Sequence, residues 1–137
     1  MSKPISEYAR NIQDTNLQVS RALTAADGNV TSSDIILGTA GFPQVEGLEM
    51  CVRLPELAAA ELASADTLTI ELQNGTAATP TTTIATEVIT GTGSAIPAQT
   101  IRFGIPRDAG VYFNVKFTTA GTTGDMSDKT AYVGPLF

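Results

Sequence analysis

The chain contains no histidine, no tryptophan and a single cysteine, Cys51. Without histidine there is no Ser-His-Asp triad, no Cys-His pair and no His-ligated zinc site. One cysteine excludes an intrachain disulfide and any CxxC metal or redox motif. Positive charge is also scarce. Lys plus Arg number 8 against 14 acidic residues, for a net charge of −6. Phosphate recognition is mostly cationic, so nucleic acid is not an expected partner. No run of 18 apolar residues offers a membrane span. The opening Met1-Ser-Lys-Pro-Ile-Ser-Glu-Tyr8 lacks the apolar centre of a signal peptide. The chain therefore reads as made and folded in a cytoplasm. The sequons Asn29-Val30-Thr31 and Asn74-Gly75-Thr76 then read as chance matches, since glycosylation follows secretion.

What is present is one domain's worth of chain: 137 residues, 42% hydrophobic and 16% charged, with 20 Thr, 18 Ala and 12 Gly. Residues 1–23 differ from the rest. They carry Lys3, Arg10 and Arg21 against Glu7 and Asp14, whereas the remainder carries five basic and twelve acidic residues. Ile5, Tyr8, Ala9 and Ile12 fall on one face of a short helix, with Pro4 suited to its first turn. A helix of about ten residues is marginal alone, so residues 1–23 are expected to form an arm, extended or briefly helical, ordered against a partner or the body. Leu17 and Val19 alternate with polar neighbours and favour an extended segment.

Residues 24–137 are expected to form the β domain, and from residue 30 onward the pattern is β. Expected strands are Val30–Leu37, Leu48–Leu54, Thr67–Gln73, Thr83–Thr90, Gln99–Ile105, Val111–Thr118 and Lys129–Val133. Turns fall at Gly38–Pro43, Asn74-Gly75, Gly91–Ser94 and Pro106–Gly110. Leu57–Ala65 reads as a loop with a helical turn. In Val111–Thr118, Val111, Phe113, Val115 and Phe117 are expected inside, and Tyr112, Asn114 and Lys116 outside. Seven or eight short, strictly alternating strands predict an all-β, antiparallel jelly roll or β-sandwich with one wet face per sheet.

Chemistry is thinly represented. Gly91-Thr-Gly-Ser94 lacks the Gly-Lys-Ser/Thr ending and following helix of a phosphate loop and reads as a turn. Asp125 and Asp128 offer too few oxygens for a calcium loop. Glu46 and Glu49 resemble a glycosidase pair only in composition, without aromatic sugar platforms. Cys51 lies on the polar-reading side of its strand beside Arg53, where a basic neighbour lowers a thiol pKa; a structural cysteine is the plainer reading. No enzyme activity, cofactor or metal is expected. The properties are those of an interaction module.

Four segments carry a resemblance. They are Asn29–Gly38; Leu48–Arg53; Ala65–Gln73 with the Thr/Pro-rich stretch after it; and Ile101–Asp108 with Gly110–Thr118, a Gly/Thr loop and Thr130–Val133. In this order and spacing the chain resembles the capsid cement (decoration) proteins of tailed bacteriophages, of the type named after the Bordetella phage cement protein. The first 20 or so residues depart from that pattern. The resemblance implies a jelly-roll virion protein on the outer capsid surface, made in the bacterial host cytoplasm. It would bind the HK97-fold major capsid protein and further copies of itself, a dimer in the first place with a trimer as the alternative, and stabilise the expanded shell. Candidate contacts with capsid or self are Ile5, Tyr8, Arg10 and Ile12 of the arm, the outward set Tyr112, Asn114 and Lys116, and the terminal Leu136 and Phe137. The alternative is a receptor- or carbohydrate-binding β-sandwich of a tail fibre or adhesin.

Overall fold

A computed structural model describes residues 17–24, 27–38, 41, 44, 47–121 and 124–136. Nine strands lie among them: β1 (Val19–Ala22), β2 (Gly28–Thr31), β3 (Ile35–Ile36), β4 (Glu49–Leu54), β5 (Thr67–Gly75), β6 (Thr82–Thr90), β7 (Gln99–Gly104), β8 (Tyr112–Ala120) and β9 (Thr130–Leu136). They form two antiparallel sheets. One runs β1-β9-β4-β7; the other runs β2-β8-β5-β6, with β3 also paired to β8. The molecule is an all-β sandwich, as the alternation predicts.

The core follows the pleat. Met50, Val52 and Leu54 of β4, Leu68, Ile70 and Leu72 of β5, and Phe113, Val115 and Phe117 of β8 are buried in one cluster drawn from both sheets. Residues at i and i+2 share a face, so each of these three strands turns one row of apolar side chains to the core. The span read as the arm ends inside this body: Val19–Ala22 hydrogen-bonds along β9, extended as Leu17 and Val19 suggest. Leu57–Ala65 makes a single turn, in which the Glu61 and Leu62 amides both donate to Ala58 O, and it buries Leu57 and Leu62 completely.

Three boundaries differ from expectation. Val30–Leu37 is interrupted between β2 and β3, where Ser32 Oγ accepts the Val115 amide at 3.0 Å in place of a ladder bond. The last strand continues through Gly134 and Pro135 to Leu136. Asn74-Gly75 is not a turn; β5 runs through it and the chain reverses between Gly75 and Thr82. The reason is a clamp. Asn74 Nδ2 donates to the carbonyls of Gly110 (2.9 Å) and Tyr112 (3.0 Å), and Asn74 Oδ1 accepts the Gly110 amide (2.9 Å). The side chain is thus held within the body rather than closing a hairpin.

β6 is a long edge strand, exposed or half-exposed at every residue. Such an edge invites pairing with another chain. Two features oppose this. The register with β5 slips at Ile84, and Glu87 stands opposite buried Ile70, on the side where Ala85 and Ile89 pack on the core. A bulge and an inward charge are known guards of free edges. Glu87→Val is therefore expected to make the protein self-associate with rising concentration, read by light scattering on a sizing column. An unchanged profile would remove Glu87 from that role.

Candidate interaction surfaces

Of the sequence-derived contact residues, Tyr112, Asn114, Lys116 and Leu136 lie among the described residues. Ile5, Tyr8, Arg10, Ile12 and Phe137 lie outside the described residues, as does Glu46. Tyr112 and Lys116 face outward from β8 and are half-buried, Lys116 between Thr31 and Glu71 across the sheet. Asn114 corrects the expectation of an exposed outward row: it is 1% exposed. Its Nδ2 donates to Asp34 Oδ1 (3.2 Å) and Pro80 O (3.2 Å). The Asp34 carboxylate also receives the Thr79 amide at 2.7 Å, so two loops are tied over this part of β8. Leu136 is 8% exposed, so its apolar side chain is buried in its own body, one of the two places its character calls for.

The outer face of the other sheet carries a cluster that the sequence reading did not single out. Alternation along β4 sends Glu49, Cys51 and Arg53 outward. The register sets Arg102 of β7 opposite Cys51, and Tyr132 of β9 opposite Arg53. Arg102 Nε lies 3.6 Å from Glu49 Oε2. Arg53 stacks over the Tyr132 ring, its guanidinium carbon 5.6 Å from the centroid, within cation–π range. No carboxylate of a described residue comes within ion-pair distance of Arg53. Tyr132 is 44% exposed. Arg53, Leu54, Pro55, Thr130 and Tyr132 line an open depression of about 210 Å³. Alternation alone places each side chain outward. The pairing of β4 with β9, which brings Arg53 to Tyr132, is a long-range register with no local signal.

Cys51 sits in the middle of this face yet is buried. Burial pushes its thiol pKa up, against the pull of Arg53 and Arg102, with Glu49 adding a smaller push upward. The two arginines beside it do not activate it. Because the folded thiol resists ionisation, the unfolded chain gives up that proton at lower pH. The stabilisation is full below the ordinary thiol pKa of about 8.5 and declines as pH rises above it. Thiol labelling at pH 8 is expected to be on the order of 100-fold slower in the folded protein than in urea, since reaction needs local opening. Equal rates would mean that Cys51 is open to solvent.

Of the remaining candidates, Glu49 is engaged by Arg102. Asp125 accepts the Ser127 amide at 2.8 Å, and this bonding to Ser127 holds its carboxyl below the usual range. Gly91 sits against the 62–66 loop, with its amide donating to Asp66 O and its carbonyl accepting the Ala65 amide. No protein-family model and no curated protein matches this chain.

Proposed function

We propose that the chain is a structural binding module, a cement protein that binds the outer surface of an expanded phage capsid and bridges its major capsid protein subunits. The observation that carries this reading is the strand order. Counting β2 and the two-residue β3 as one interrupted strand leaves eight, and the sheets then run 1-8-3-6 and 2-7-4-5. That order supports a jelly roll of two Greek keys, the fold the resemblance implies. The four segments that carry the resemblance also fall on β2–β3, β4, β5 and β7 through β9.

Such a protein works without an active site. Binding the assembled shell in preference to free subunits favours assembly by mass action. One copy touching two capsomers makes its second contact intramolecular, so modest interfaces give strong retention. A copy of itself at a local two-fold axis is part of the proposal.

Co-sedimentation with expanded capsids, with unexpanded procapsids alongside, tests it. Saturable, stoichiometric binding to expanded shells, weakened by deleting residues 1–16, is the expected result. A folded protein that binds neither shell would overturn the reading. The exposed Tyr132 beside its depression is the feature a glycan-binding domain would use, and hits in a glycan screen would move the assignment there.

A further inference from the structure

The outer face of the β1-β9-β4-β7 sheet differs in charge from the molecule as a whole. The chain is net −6, yet the outward positions of β4, β7 and β9 place Arg53 and Arg102 with a single carboxylate, Glu49. Glu49 is taken by Arg102. Arg53 is left with a planar guanidinium held on the Tyr132 ring and no anionic partner among the described residues. A guanidinium fixed by stacking loses less freedom on accepting a carboxylate, and its fork matches both carboxylate oxygens. Beside it, half-buried Pro55 supplies apolar surface, and Thr130 and Tyr132 supply hydroxyls.

We propose that the Arg53–Tyr132 depression seats an acidic side chain, Asp or Glu, carried on a segment of a protein partner. Its volume of about 210 Å³ suits one side chain, being smaller than typical small-molecule pockets of roughly 300–1,000 Å³. A polyanion such as nucleic acid would meet repulsion from the rest of the acidic surface. A second copy docked face to face about a two-fold axis would oppose like charges. The inference rests on the reading of the chain as a protein-binding module, but not on the partner being a capsid.

Two measurements separate the claims. The first follows the Arg53 Nε and Tyr132 ring NMR signals while a blocked tetraglutamate peptide is added. Saturable shifts centred on Arg53, Thr130 and Tyr132 are expected. They should be lost in Arg53→Gln and retained in Arg107→Gln, which removes an exposed cation elsewhere. Absent shifts, or shifts spread equally over all cations, overturn the proposal. So do shifts at the depression with neutral glycans and none with the peptide.

The second repeats the sedimentation with expanded capsids. Arg53→Glu and Tyr132→Ala are each expected to weaken binding about tenfold or more, with circular dichroism confirming folded variants. Both side chains lie on the outer face and reach solvent, Tyr132 with 44% of its surface, so folding should survive. Where the wild type binds shells and Arg53→Glu binds equally, the depression is not the docking point and the cement reading stands. Where the wild type binds no shell, the cement reading falls and the peptide titration decides the site.

Discussion

Replacing Phe117 with alanine is expected to remove about 3–5 kcal/mol of stability, the range for truncating a fully buried phenylalanine. Phe117 is completely buried. It stands between Val30 of β2 and Ile70 of β5 on the inner face of its sheet, inside the cluster that both sheets share. The neighbours paired with it across the sheet, Val30 and Ile70, are apolar, so the deletion leaves a void whose lining loses its contacts. For a domain of this size the melting temperature should fall by on the order of 10–15 °C. Since whole domains are stable by only about 5–15 kcal/mol, much of the margin would go. Val88→Ala is the companion measurement. Val88 is 51% exposed on the edge strand, and its truncation should change stability by less than about 0.5 kcal/mol. Similar losses for the two variants would mean that Phe117 does not face the space between the two sheets.

The strands themselves were legible because one-sided burial leaves a period of two in the sequence. Met50, Val52 and Leu54, and likewise Phe113, Val115 and Phe117, are spaced and buried as that period requires. The misread residues are polar ones whose partners are distant. Asn74 next to a glycine is locally a turn signal. Its partners Gly110 and Tyr112 lie 36 and 38 positions away, and no window along the chain contains them. Asn114 sits in an alternating row that reads as wet. It is covered because Asp34, 80 positions earlier, and Pro80 are drawn over it. The Arg53–Tyr132 pair escaped notice for the same reason. Each residue alone is an ordinary outward side chain, and only the register of β4 on β9 gives them a common use. Local pattern therefore located the sheets, whereas cross-strand register decides which exposed residues can act together.

Register also makes certain glycines sensitive. Gly91→Ala is expected to destabilise the protein by about 3 kcal/mol, at the upper end for overpacking. A Cβ at Gly91 would lie 2.6 Å from the Leu62 carbonyl oxygen and closer still to that of Ala63. These are backbone atoms, with no flexible side chain to swing away. The loop that carries them is held on both sides: the Gly91 amide donates to Asp66 O at 2.8 Å and the Ala65 amide to Gly91 O at 3.0 Å. Ala65 has a φ of 69°, in the left-handed region that few side-chain-bearing residues occupy. Leu62 in the same loop is fully buried, so moving the loop outward would also draw a leucine from the core. The β6–β7 connection and the 57–66 loop must therefore yield together or not at all. Gly104→Ala is the control. Nothing lies within 4 Å of a Cβ there and its φ is not positive, so its stability should stay near wild type. Urea unfolding of both variants checks the contrast. A Gly91→Ala midpoint equal to that of Gly104→Ala would show that the 57–66 loop is free to move away, and that its contact with β6 does not help fix the end of the sandwich.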